Sequence, residues 1–235
     1  MFRVRLWLGR ACECVRHSPK ATMIYHNNRP LNRFAPAAPQ PARFFEHAHA
    51  PSDTSSLLQR LESHLELVGD KQREESVFTV PGRSEYVLQL VQEEGEEERF
   101  EMHTRLGEDG KLDHWERTVR ETLPLRRGLR ASIGQRIPRL KPALMTYETA
   151  DDLAAAFSKK TRAVSTTVRR RVFGNDTVTA ALSEYTVMDV ETGPVAVATL
   201  TVRSENPDAL RQVLSDLDIG EADCVNVETM LREAA

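Results

Sequence analysis

Apolar and polar positions alternate two by two along much of the chain after Arg43. From Phe100 to Leu106, Phe100, Met102, Thr104 and Leu106 face one way while Glu101, His103 and Arg105 face the other, the period of a half-buried strand. Gly107 to Gly110 turns the chain, and Trp115 to Thr122 returns as its partner. Val77 to Val80 and Tyr86 to Val91 read as strands around the Pro81-Gly82 turn, and Arg43 to Ala50 reads as a short strand stopped by Pro51. The last third carries three more strands. Arg162 to Arg171 leads through the turn residues Phe173-Gly174-Asn175-Asp176 into Thr177 to Met188, and Val195 to Arg203 follows.

Three segments have a helical period instead. Ser52 or Asp53 caps a helix bearing Leu57, Leu58, Leu61, Leu65 and Val68, closed by Gly69 and Asp70. Thr149, with Asp151 and Asp152 in the first turn, starts a second helix carrying Leu153, Ala156 and Phe157. Pro207 opens a third with Leu210, Val213, Leu214 and Leu217. Ala143 to Tyr147 is predicted as a strand. Leu123 to Lys141, with its prolines, glycines and scattered basic residues, is predicted as an irregular connection. The sum is an α+β protein, mainly antiparallel β, with eight or nine strands and about three helices.

Residues 1–43 differ from the rest. Arg3, Arg5, Arg10, Arg16, Arg29, Arg33 and Arg43 face a lone acid, Glu13, and Pro36, Pro39 and Pro41 alternate with small residues. This is read as a disordered basic tail ahead of a folded domain over 44–235; a mitochondrial presequence is the alternative. The net charge of −3 does not mark a surface that attracts nucleic acid as a whole. The three cysteines, Cys12, Cys14 and Cys224, form no disulfide or zinc pattern, which points to a reducing compartment. No apolar run approaches the roughly 18 residues of a membrane-spanning helix.

Candidate chemistry is sparse, and no catalytic motif is present. His47 and His49 share a strand face but lack further ligands at recognised spacing, and read as an ordinary polar face. His103 and His114 flank a turn and could meet across the hairpin, without a nucleophile. Cys224 reads as a core residue, and the acidic run Glu93 to Glu98 as a solvated hairpin tip. Arg169 and Arg171 share one strand face, with Arg170 on the other. Were their face to line a barrel, the two would offer planar forks to a phosphate. No catalytic, cofactor or metal residue is assigned.

The order of these blocks resembles the triphosphate tunnel fold, an antiparallel barrel shared by CYTH phosphohydrolases, RNA triphosphatases of the fungal type and noncatalytic Mediator subunits; the resemblance implies that the eight or nine strands form a closed or nearly closed barrel with about three flanking helices. It is most similar to the Mediator subunit 18 family, through Phe44-Phe45-Glu46-His47-Ala48-His49-Ala50-Pro51, the helix Ser56 to Leu61, Glu74 to Pro81, the helix Asp152 to Ser158, Arg171-Val172-Phe173-Gly174 and Thr177 to Met188. The resemblance implies a nonenzymatic, nuclear subunit of the Mediator head module. Its implied partners are Mediator subunits 20 and 8 and RNA polymerase II, with no membrane or direct nucleic-acid contact expected. Active tunnel enzymes carry E-x-E on the first strand and a second acidic pair on a late strand. Here the first strand offers Glu46, and the late strand reads Val-Ala-Val-Ala-Thr-Leu-Thr-Val over 195–202. The alternative is a metal-dependent phosphohydrolase with displaced carboxylates, in which Glu101 or Glu184 would face inward beside Arg169 and Arg171.

Overall fold

A computed structural model describes residues 43–189 and 193–234; the basic segment before Arg43 lies outside the described residues. Eight strands, β1 (Arg43–His49), β2 (Glu66–Val80), β3 (Arg83–Glu93), β4 (Arg99–Asp109), β5 (Leu112–Thr122), β6 (Arg162–Gly174), β7 (Val178–Asp189) and β8 (Gly193–Ser204), close into an antiparallel barrel. The order around it is β1-β5-β4-β3-β2-β6-β7-β8. β1 closes the ring by pairing with both β5, Phe44 opposite Trp115, and β8, His47 opposite Val202. Each strand therefore has two neighbours, so the barrel leaves no strand as an edge for partners, contrary to what a merely open sheet would offer.

Two helical layers cover the outer faces. Helix α1 (Thr54–His64) and α5 (Pro207–Asp216) bring Leu57, Leu61, Leu210 and Leu214 onto Phe173, Ala180, Leu182, Leu200 and Val202. On the other side, α2 (Arg127–Arg136), α3 (Lys141–Thr146) and α4 (Ala150–Ser158) bring Ile133, Leu144, Leu153 and Phe157 onto Phe78, Leu88, Phe100 and Met102. Phe157 meets Phe78 and Phe100 edge to face, with ring centroids 5.5 and 6.2 Å away. Helix α6 (Val227–Glu233) sets Leu231 against Val168, Tyr185 and Val187. No helix among the described residues is long and apolar enough to cross a membrane.

Local chemistry explains most boundaries. Asp53 accepts from the Ser55 and Ser56 N–H groups at 3.0 and 3.1 Å, and Thr149 and Asp152 close a reciprocal capping box. The Asn206 side chain caps α5, with Pro207 in its first turn, where a missing N–H costs nothing.

Three expectations are corrected. Helix α1 ends at His64, and Glu66 to Asp70 belong to β2, because pairing with β6 from Glu66–Gly174 onward outweighs the local helical period. Residues 143–146 are the end of α3, not a strand. The stretch 123–141 is largely helical: Ile133, Ile137, Leu140, Leu144 and Tyr147 recur at three- and four-residue steps and are all buried. Pro138 and Pro142 interrupt that period in the sequence, yet each sits in the first turn of a helical segment, where it is tolerated. With α6 added, six α-helices flank the barrel among the described residues.

Phe157→Ala removes the ring that joins α4 to the barrel wall and should cost about 3–5 kcal/mol in denaturant unfolding. A loss below about 1 kcal/mol would mean that the α2 to α4 layer is not packed as described.

Candidate functional site

Directly opposed residues of antiparallel strands point to the same face, so the registers assign each position to the wall or the lumen. Phe173, Leu182 and Leu200 pack under the outer helices, which places Arg171 and Arg169, on the same face as Phe173, outside. Arg169 is exposed and bidentate to Asp70, at 3.2 and 2.8 Å, and Arg171 meets Glu184 at 3.1 Å. Glu184 therefore lies on the outer face as well. The inward guanidinium of β6 is Arg170, opposite Lys71 and Ser183.

The lumen is densely charged. Lys71 reaches Glu93 at 2.7 Å, Arg99 bonds Glu93 and reaches Glu101 at 2.8 Å, and Glu101 also faces Arg120 and His103, each at 3.4 Å. Farther round, Arg73 bonds Glu75, which also accepts from Gln89 at 2.8 Å, and Arg105 bonds Asp113. Burial works against the charge on Glu93, but Lys71 and Arg99 outweigh it and hold its carboxyl down to about 2. Glu101 is likewise buried at a cost that His103 and Arg99 more than offset, so its carboxyl stays well below the usual range. Among the described residues Arg170 has no carboxylate within ion-pair distance; burial, then Arg73 and Arg203, bring it down to about 10 against the opposing pull of Tyr185 and Glu75.

Glu46 decides whether a divalent metal fits. On β1 the inward positions are Phe44 and Glu46, and Glu46 is bonded by Arg203, whose guanidinium lies 4.8 Å over the Phe44 ring. On β8 the inward positions adjoining Arg203 are Val197, Thr199 and Thr201. A hard cation needs several converging oxygens not already neutralised. This donor set does not supply them, and among the described residues no group of three His, Cys, Asp or Glu side chains is placed to hold a metal.

The other candidates separate. His47 and His49 do share the outer face of β1, and His49 lies opposite Cys224. His47 is fully buried with neither ring nitrogen hydrogen-bonded; burial, then His49, lowers its pKa, so it is neutral in the folded protein. His103 and His114 do not meet, because His103 points inward to Glu101 whereas His114 stacks on Phe45 at 4.5 Å on the outside. Glu101 is inward, as the phosphohydrolase reading requires, but its neighbours are Arg99, Arg120 and His103 rather than Arg169 and Arg171. Sequence reasoning overlooked Glu75, Arg73, Arg99 and Arg203 as site residues. For Arg99 and Arg203 the signal was parity, since each stands beside an apolar outward residue, Phe100 and Val202; Arg73 and Glu75 stand among Gln72, Glu74 and Ser76 and carry no such signal.

Helix α6 closes one mouth. Glu228 on α6 is pushed up to about 7 by burial, with Glu46, Asp113 and Glu75 adding to the rise.

No protein-family profile and no curated protein sequence matches the chain. Solved structures are similar to it at low identity. A conserved protein of Pyrococcus furiosus is 14% identical over 80% of this chain and 99% of its own, with a TM-score of 0.49. A Hippeastrum protein described as an adenylyl cyclase with a dominant triphosphatase activity is 12% identical over 82% and 95%, with a TM-score of 0.48. A chain of the Schizosaccharomyces pombe Mediator head module is 10% identical over 75% and 90%, with a TM-score of 0.40.

Glu101→Gln removes the carboxylate that Arg99 and Arg120 share, while Arg99 keeps Glu93, and should destabilise the fold by about 1–3 kcal/mol. Glu93 and Glu101 have lowered carboxyl pKa values, so their contribution is complete above pH 4.5 and lost as pH falls toward 2. The variant's acid unfolding curve should be correspondingly flatter. Glu228 has the opposite sign. Folded, it keeps a proton between pH 4.5 and about 7 that the unfolded chain has released, so its contribution shrinks as pH rises through that window. Glu228→Gln should therefore stabilise the protein at pH 8 by on the order of 1–3 kcal/mol and leave it unchanged at pH 4; equal stability at pH 8 would contradict the buried placement of this carboxyl.

Proposed function

We propose that this protein is a noncatalytic structural subunit of the Mediator head module, acting in the nucleus to couple transcription regulators to RNA polymerase II. Its partners in this reading are Mediator subunits 20 and 8. The observation that carries the noncatalytic half is the commitment of Glu46 to Arg203, with Phe44 in the neighbouring inward position. A tunnel phosphohydrolase needs two free carboxylates there to hold its metal against the phosphates. The Mediator half rests on the order of blocks from Phe44 to Met188 set out above. A lumen crossed by Arg-carboxylate pairs and closed at one mouth by α6 suits a rigid scaffold, whose partners bind its outer helices and rims.

A second reading, a metal-dependent triphosphate phosphohydrolase, has one observation in its favour: Arg170 faces the lumen without a carboxylate partner, as a phosphate-binding arginine would.

Affinity purification of the tagged protein from its native cells, followed by a phosphate-release assay, separates the two. We expect stoichiometric recovery of Mediator subunits 20 and 8, and no hydrolysis of tripolyphosphate with magnesium or manganese above that of the Arg170→Ala, Glu46→Ala double variant. Metal-dependent hydrolysis that disappears in the double variant, from a preparation free of Mediator subunits, would overturn the scaffold reading and establish the second.

A further inference from the structure

A cavity of about 420 Å³ lies under α6, between that helix, the β2–β3 turn and the first residues of β6. Its volume falls within the roughly 300–1,000 Å³ of ordinary ligand pockets. Val80, Val87 and Trp115 give it an apolar wall, and Arg162 and Arg232 stand at it as exposed side chains. Arg139 reaches the same rim, its guanidinium donating to the Pro81 carbonyl at 3.3 Å, and the exposed Lys159 and Lys160 lead into Arg162.

The cations here differ from the paired arginines along the strands and on α5. Arg73, Arg99, Arg105, Arg169, Arg171, Arg203 and Arg211 each have a carboxylate partner. Among the described residues, Arg139, Lys159, Lys160, Arg162 and Arg232 have none. Cations gathered at a rim without counter-ions raise the local potential and draw in an anionic partner.

We infer that this mouth is a docking site for an acidic peptide segment of a partner protein, whose carboxylates meet the basic rim while one apolar side chain enters the cavity. The floor favours a peptide over a polyphosphate or nucleic acid. Asp113, already held by Arg105, and Glu228 line it beside the apolar wall, so a phosphate driven inward would find no unpaired cation, whereas a peptide keeps its charges at the rim and buries carbon below. This inference does not depend on the Mediator reading, because it rests on the exposed rim cations and the apolar wall alone.

The test uses the full chain and a fluorescein-labelled twelve-residue peptide of Asp and Glu with a central Phe-Leu pair, followed by anisotropy. The expected results are saturable binding, at least tenfold weaker with the exposed pair Arg162→Glu, Arg232→Glu, and at least fivefold weaker when the peptide's Phe-Leu becomes Ser-Ser. Ser84→Trp, at an exposed position lining the cavity, should reduce affinity as the Ser-Ser peptide does while leaving the rim charges in place. Circular dichroism confirms that the variants are folded. Absence of binding, an affinity unchanged by charge reversal, or equal competition by tripolyphosphate or by a single-stranded oligonucleotide of the same charge would each overturn the proposal.

Discussion

Closure of the sheet through β1 is the constraint on which the rest of this structure depends. Once Phe44 pairs with Trp115 and His47 with Val202, every strand has a definite inside and outside, and inward charges of either sign are confined to one space. Confinement makes ion pairing obligatory, because an unpaired buried charge costs several kcal/mol. The chain from Lys71 through Glu93 and Arg99 to Glu101 answers that requirement. So does the pair Glu46–Arg203, and in forming it the protein uses the carboxylate that a metal would otherwise need.

The same closure sets the places left for partners. With no strand free as an edge, recognition falls to the outer helices and the rims, and the rim beneath α6 is where cations stand without counter-ions. Helix α6 is short, with Leu231 as its buried residue. The lumen carboxylates Glu93 and Glu101 and the Glu228 carboxyl on this helix shift in opposite directions.

The charged lumen explains how a barrel with so many inward charges can be stable. Arginines and carboxylates that alternate around the wall neutralise one another and crosslink neighbouring strands, as Arg73 with Glu75 and Gln89 do across β2 and β3. Arg170 departs from this rule, and it is the residue through which any anion affinity of the lumen would act.

Parity along each strand, the turns at Pro81-Gly82 and Gly174-Asn175-Asp176, and the caps at Asp53, Thr149 and Asn206 were legible in the sequence, because each depends on neighbours within a few residues. The number of strands followed from those signals, and the barrel class from the resemblance in the order of the blocks. Where a long-range pairing competes with a local period, local reading failed: Glu66 to Asp70 joined β6, and the Ile133 to Tyr147 period lay hidden behind Pro138 and Pro142. The sequence alone determined that Arg169 and Arg171 share a face opposite to Arg170. Only the tertiary structure decided which face is the lumen, because that depends on which side the helices α1 and α5 cover once the sheet has closed.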